Sequence, residues 1–303
     1  MNRKDAVRSI IRPHQDDPIT PLTTVWGDSL DPQKVLQEYP RPQLKRDSYY
    51  NLNGLWDYAI TAVSGSDDSL HNSHPRSYDG KILVPFSPEC SLSGVGRQLK
   101  PDEFLWYRTF LPASACNLPD AHRLILHFGA VDYETEVYIN NVSVFRHKGG
   151  YDPFEVDITD YLLAPGGENA NELILRVRDV SNTSEQPRGK QTLLRGGIFY
   201  TAQSGIWQTV WLEQVPSAYV EKLWFDSVYD ERKLTAHLTV RGAVTLPALS
   251  LSLYDRQEEI GFRSLCIDQT VSPSEEPERL NITLSVTIPE EHFHPWSPES
   301  PFL

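Results

Sequence analysis

The feature that most constrains this fold is a series of short runs in which apolar and polar residues alternate. Residues 123–128, 134–140 and 172–179 each place apolar side chains at every second position. Alternation with period two is the pattern of a β-strand that has one buried face. Asparagine, glycine and proline pairs between these runs indicate tight turns. Because no stretch shows a convincing amphipathic helix, the sequence predicts an all-β protein.

The turn signals divide the chain into three predicted regions. Residues 1–48 are polar and proline-punctuated, and we expect them to form an arm packed on the first domain. Residues 49–216 show the strand pattern of a jelly-roll sandwich. Pro216 ends one strand, and residues 217–303 have the length and alternation of an immunoglobulin-like sandwich. We therefore predict two β-sandwich domains.

Charge and cysteine usage exclude several classes of protein. The net charge of −13 repels nucleic acid and anionic membranes, so we expect neither as a partner. The three cysteines are scattered and match neither a disulfide framework nor a zinc site. No phosphate-binding glycine loop is present, and we expect no cofactor. The N-terminus lacks the apolar core of a signal peptide, so a cytoplasmic location is expected.

Two aromatic stretches leave a choice between packing and sugar binding. In residues 204–216, SGIWQTVWLEQVP, strand alternation predicts Trp207 and Trp211 on the same face. The stretch follows the other jelly-roll strands and ends at the seam, which favours structural packing for both. Tyr151 follows a glycine pair and is also interpreted as a packing residue, while Asp132 is expected to accept N–H bonds from a turn.

Five motifs together carry a resemblance to a known family. They occur in this order: LNGLWDY (52–58), ILVPFSPECSLSGVG (82–96), LWYRTFLP (105–112), the stretch 126–159, and SGIWQTVWLE (204–213). In this order they resemble the N-terminal sugar-binding domain of glycoside hydrolase family 2, the β-galactosidase and β-glucuronidase family. The resemblance implies a galactose-binding-like jelly roll followed by an immunoglobulin-like domain. Residues 294–303 resemble the segment that leads into the family's catalytic barrel.

The resemblance also carries expectations about activity. In that family hydrolysis is retaining, and both catalytic glutamates lie on a (β/α)₈ barrel of about 250 residues. We expect this chain to be a truncated, non-catalytic N-terminal portion of a β-galactosidase-like enzyme, with the barrel and a carbohydrate as partners and no catalytic residue of its own. Two alternatives stay open: a stand-alone carbohydrate-binding module, and a structural β-sandwich that forms a homo-oligomer through exposed sheet edges.

One region carries the predicted sugar contacts. In the β-galactosidase branch, an aspartate at the end of the strand that corresponds to residues 172–179 contacts a sugar hydroxyl and a bound monovalent cation. The resemblance implies Asp179 for that position, with Arg188 and Gln191 lining the same rim, and a cation only in the full-length enzyme. A carboxylate can accept two hydroxyl hydrogen bonds, which suits a sugar. The alternative is a strand-end aspartate that caps its own turn.

Overall fold

The computed structural model describes the chain over the following residues: 23–63, 74–164, 170–242, 252–255, 258–259, 267–273 and 278–301. Their regular structure is almost all strand, which confirms the predicted all-β fold. The helices α1 (Val25–Asp28) and α2 (Ala113–Cys116) are short, and no described helix has the length and apolarity to cross a membrane.

The chain divides into two compact units. The first contains residues 1–40 and 46–214, and the second contains residues 41–45 and 215–303. Of the predicted arm, residues 1–22 lie outside the described residues. Farther along, Asn53 donates to the Val35 carbonyl at 3.2 Å, and the Val35 side chain is buried. The described part of the arm is therefore fastened to the first unit at this point.

The strands up to residue 216, in chain order, are β1 (Tyr49–Asn51), β2 (Gly54–Ala62), β3 (Gly80–Val84), β4 (Glu103–Phe110), β5 (His122–Phe128), β6 (Val131–Asp132), β7 (Glu134–Ile139), β8 (Val142–Lys148), β9 (Phe154–Asp157), β10 (Glu172–Arg178), β11 (Gln191–Thr192), β12 (Tyr200–Thr201), β13 (Gly205–Ile206) and β14 (Val210–Pro216). They form a four-stranded sheet in the order β1-β14-β5-β9 and a six-stranded sheet in the order β3-β2-β4-β10-β7-β8. Two short pairs, β11-β12 and β13-β6, complete the described strands of this unit.

The core of the first unit lies between its two larger sheets. Leu126 and Leu212 from the four-stranded sheet belong to the same buried cluster as Trp56, Leu105 and Leu175 from the six-stranded sheet. Burial of apolar faces from two sheets against each other is the basis of a β-sandwich. The sheets therefore make a sandwich, with the connecting loops at its ends.

Strand β10 shows how alternation positions one end of this sandwich. Leu173, Leu175 and Val177 are buried in the core, as the alternation predicts. On the opposite face, Arg176 donates to Glu136 at 2.6 Å. The strand pairs antiparallel with both β4 and β7 and ends at Arg178. Asp179 is therefore the first residue of the loop that follows this buried strand.

The second unit contains the strands β15 (Tyr219–Val228), β16 (Lys233–Arg241), β17 (Tyr254–Asp255), β18 (Glu258–Glu259), β19 (Ile267–Pro273) and β20 (Arg279–Thr287). Four of them form an antiparallel sheet in the order β15-β16-β20-β19. Its register sets Ala236 opposite Leu284 and Leu238 opposite Ile282, so the apolar positions share one face, as the alternation predicts. The immunoglobulin-like prediction also covers residues 243–251 and 260–266, which lie outside the described residues.

The stretch 204–216 differs from the single strand that its alternation predicts. Strand β13 ends at Ile206 and β14 begins at Val210, so the chain leaves regular structure between them. As a result, Trp211 is only 4% exposed, whereas Trp207 is 38% exposed. Trp211 stacks on His127 with ring centroids 4.7 Å apart. The two tryptophans therefore do not lie on one strand face and do not share an environment: Trp211 is packed in the fold, and Trp207 remains partly exposed.

Candidate functional site

Asp179 lies at the end of β10 and is buried. Its Oδ1 accepts the backbone N–H of Ser181 at 2.7 Å and the side-chain amide of Gln186 at 2.6 Å. Its Oδ2 accepts the hydroxyl of Ser204 at 2.8 Å. Asp179 therefore fastens both ends of the polar loop that connects β10 to β13.

The other two predicted site residues also lie in this loop. Gln191 lies in β11, and its side-chain oxygen accepts the N–H of Gln203 at 2.7 Å. Arg188 is half-buried and donates from Nη1 to the carbonyl oxygens of Ser184 and Gln186, at 3.3 and 3.4 Å. The loop thus holds all three predicted residues, and each one makes hydrogen bonds within it.

Ser204 connects Asp179 to a second buried carboxylate. Its backbone N–H donates to Glu89 Oε2 at 3.1 Å, and the N–H of Leu99 donates to Oε1 at 3.1 Å. A third buried carboxylate, Asp132, lies in β6, which pairs with β13 just after Ser204. We call Glu89, Asp132 and Asp179 the acidic cluster.

The glycine of the SGIW sequence allows this assembly. Gly205 has a φ of +77°, and a Cβ placed on it would lie 2.1 Å from the hydroxyl oxygen of Tyr107. That hydroxyl accepts the N–H of Ile206 at 3.1 Å. Only glycine combines this backbone conformation with such close approach. Gly205 therefore brings the β13 backbone next to Asp132, with Ser204 between the other two carboxylates.

Asp132 differs from the turn cap expected from the sequence. Its Oδ1 is buried and has no hydrogen-bond partner among the described residues. A Cβ on Gly150 would lie only 2.4 Å from this oxygen, so the Gly150 backbone lies directly against the carboxyl group. Asp132 therefore contacts the loop between β8 and β9 through close packing.

The acidic cluster has no basic partner: within the described residues, none of its three members forms an ion pair. Burial, together with the charge of Asp179, raises the pKa of Asp132 to about 7. Burial also raises the pKa of Glu89 to about 8, although the backbone N–H groups of Leu99 and Ser204 favour its ionised form. Desolvation without a compensating cation has this effect on carboxyl groups. The pKa values of Asp132 and Glu89 therefore lie close to neutral pH.

Two aromatic side chains lie beside the cluster and reach solvent. Tyr151 is 45% exposed and follows Gly150 directly. Trp207 donates its indole N–H to the Gly150 carbonyl at 2.7 Å. The two rings meet edge to face, with centroids 6.0 Å apart and an interplanar angle of 72°. The buried acidic cluster therefore lies next to two partly exposed aromatic rings in the first unit.

Comparison with known families assigns this region. Residues 102–216 match the family described as glycosyl hydrolases family 2, sugar binding domain. Residues 102–216 of this chain are therefore similar to the sugar-binding domain of family 2. The matched range includes Asp132, Asp179 and Trp207, and it ends where β14 ends. Asp132 and Asp179 of the described site therefore lie within the range that is similar to a sugar-binding domain.

Relatives with family 2 names extend the similarity beyond this domain. A β-galactosidase of Thermoanaerobacter pseudethanolicus is 24% identical over 84% of this chain and 32% of its own length. A putative β-glucuronidase of Formosa agariphila is 29% identical over 57% of this chain and 19% of its own length. This chain therefore spans about a third or less of these curated relatives. A solved family 2 member from Bacteroides cellulosilyticus aligns with 84% of this chain and 33% of its own, at 13% identity and a TM-score of 0.49.

A cation at Asp179, which the family resemblance implies for the complete enzyme, does not fit the described residues alone. The Asp179 carboxylate already accepts three hydrogen bonds from protein donors. In the described part of the chain, no group of three or more His, Cys, Asp or Glu side chains could hold a metal ion. We therefore assign no cation to this family 2 domain.

Sequence reasoning placed Asp179 at the strand exit but missed the partners around it. Glu89 lies 90 residues before Asp179 in the chain, and the two are connected through the hydrogen bonds of Ser204. Gln186, which lies in the loop after Asp179, and Ser204, the first residue of the SGIW sequence, were also missed. The one available signal was the glycine of the SGIW sequence, because a glycine inside an alternating run often marks a close approach of the backbone to another group.

Proposed function

We propose that this chain is the non-catalytic, carbohydrate-binding portion of a family 2 glycosyl hydrolase, and that its first unit contributes to the rim of a sugar site. The observation that carries the proposal is that the family match and the candidate site overlap in sequence. The family's sugar-binding domain covers the same residues that hold Asp132, Asp179 and the polar loop. Titratable groups with shifted pKa values and no structural ion pair are typical of functional sites.

In this proposal Asp179 is a positioning residue. Its three hydrogen bonds fix the loop ends, so that Arg188 and Gln191 are presented at a constant place on the rim. Guanidinium and amide groups are suited to sugar hydroxyls, because both offer several directional hydrogen bonds. Preorganising a loop reduces the entropy lost when a ligand binds to it.

The names of the relatives suggest the substrate class. We propose a β-galactoside or a related β-glycoside, hydrolysed with retention by two glutamates that lie outside the 303 residues. The first unit would then supply only part of the contacts to the sugar. We accordingly expect the chain alone to bind a simple glycoside weakly, with a dissociation constant above about 10 mM.

Saturation-transfer NMR on the 303-residue chain tests this proposal, with methyl β-galactoside and methyl β-glucuronide as probes and sorbitol as the acyclic control. We expect saturation transfer to at least one glycoside and none to sorbitol, and no hydrolysis of p-nitrophenyl β-galactoside. Asp179→Asn should weaken the signal by loosening the loop. Hydrolysis would contradict the non-catalytic role, and transfer that does not distinguish glycoside from sorbitol would contradict carbohydrate binding. Submillimolar affinity would favour a stand-alone binding module instead.

A further inference from the structure

We propose that Tyr151 and Trp207 form a stacking corner that binds the ring of a neutral glycoside. This inference rests on the proposed function and adds two residues that the sequence assigned to packing. Their rings stand at 72° with centroids 6.0 Å apart, and both side chains remain partly exposed. Two rings at a steep angle offer one face for stacking and one edge for lateral contact with a saturated ring.

The corner is held in place by its polar contacts. The only N–H of the Trp207 ring donates to the Gly150 carbonyl at 2.7 Å, so the remaining indole surface is free of hydrogen-bonding demands. The Gly150 backbone in turn rests against Asp132, leaving no room for a side chain. Trp207 is therefore tied to the backbone that carries Tyr151. A platform of this kind loses little conformational entropy on binding.

The surrounding chemistry suits a sugar better than a purely apolar ligand. Pyranose rings present C–H groups on their faces and hydroxyls at their rims, so they pair an aromatic surface with nearby polar groups. The Tyr151 hydroxyl supplies such a group within the corner itself.

The charges nearby favour a neutral sugar over a uronide. Burial, followed by the charges of Asp132 and Asp179, raises the pKa of the Tyr151 phenol. The Asp132 carboxyl group also packs against the backbone of Gly150, the residue directly before Tyr151. A carboxylate on the ligand would meet the same negative potential, and like charges disfavour binding. Arg188, the cation predicted for the rim, donates to the carbonyl oxygens of its own loop.

The test compares the affinity of the 303-residue chain and its variants for methyl β-galactoside by saturation-transfer NMR titration. Trp207→Ala and Tyr151→Ala should each weaken binding about fivefold through loss of stacking. Tyr151→Phe should weaken it about twofold through loss of one hydroxyl. Trp207→Phe retains a ring but loses the hydrogen bond to Gly150, so it should weaken binding less than Trp207→Ala does. Methyl β-glucuronide should bind at least about threefold more weakly than the galactoside.

Tyr161→Ala is the matched control, because Tyr161 is 39% exposed in the same unit and lies outside the corner. It should leave binding unchanged, and thermal melts should show that every variant is folded. If the unmodified chain binds galactoside and both alanine variants bind equally well, the stacking corner is wrong while the proposed function stands. If the glucuronide binds more tightly than the galactoside, the neutral-sugar preference is wrong. If the unmodified chain binds no glycoside, both proposals fail.

Discussion

Two acidic centres are buried in the first unit, and they are stabilised in different ways. Glu213 accepts hydrogen bonds from Tyr39 at 2.6 Å and Trp211 at 2.9 Å, and Arg46 Nε lies 3.0 Å from its Oε2. The acidic cluster has three carboxyl groups and, among the described residues, no ion pair. A cation offsets the desolvation of a buried carboxylate, whereas an unpaired carboxyl group holds its proton to higher pH. Glu213 is therefore a carboxylate that the fold pairs with a cation, whereas the proposed site rests on carboxyl groups without one.

The largest expected effect is on the Glu213 centre. Glu213→Ala leaves the partly buried Arg46 guanidinium and the buried Trp211 N–H without this acceptor, and removal of one partner from a largely buried ion pair costs up to about 3–5 kcal/mol. Urea denaturation at neutral pH measures the change in unfolding free energy. The control is Asp160→Ala, which removes the exposed partner of Arg123 and should cost several times less. If both variants lost the same unfolding free energy, Glu213 would not be the structural ion-pair centre that we describe.

A smaller effect is expected where the acidic cluster meets the Gly149–Tyr151 loop. Gly150→Ala places a methyl group 2.4 Å from Asp132 Oδ1, and overpacking of this kind costs about 1–3 kcal/mol. Adding Asp132→Ala removes the obstructing carboxyl group and should restore part of the loss. Chemical denaturation of the two single variants and the double variant gives the coupling energy. Strict additivity would show that the loop does not rest on Asp132.

The third prediction concerns the pH dependence of stability. The folded-state pKa of Asp132, about 7, lies above its unfolded value of 3.8, so the folded protein binds more protons between these values. Stability from this group is present at low pH and declines as pH rises from about 4 to about 7. Asp132→Asn cannot ionise, so its stability relative to the unmodified chain should rise by at least about 1.4 kcal/mol between pH 4.5 and 7.5, which corresponds to one pKa unit. Denaturant titrations at both pH values measure this, and a pH-independent difference would contradict an uncompensated Asp132.

The strands were predictable because their pattern is local. Alternation within β10, β16 and β20 is read directly from neighbouring residues, and the apolar positions of each lie on one face of its sheet. The break at residues 207–209 was not predictable in this way. It depends on Gly205 beside Tyr107 and on Trp207 bonded to Gly150, and both contacts join residues far apart in the sequence.

The candidate site was predictable only in part, for the same physical reason. Asp179 stood out because a strand ends before it, and the structure places it at that strand end. Its buried neighbours Glu89 and Asp132 come from separate parts of the chain. Nothing in their local sequence indicates that they have no basic side chain as an ion-pair partner among the described residues. A charge balance of this kind depends on tertiary packing, which a pattern of neighbouring residues does not contain.

The most direct test of carbohydrate binding at this end of the first unit is the indole N–H spectrum of the seven tryptophans during titration with methyl β-galactoside. Trp→Phe variants assign the signals of Trp207 and Trp211. The account predicts that the Trp207 signal moves with added sugar, because its ring is partly exposed beside the acidic cluster, and that the buried Trp211 signal does not. A titration that leaves Trp207 unmoved, or moves only Trp211, would contradict it.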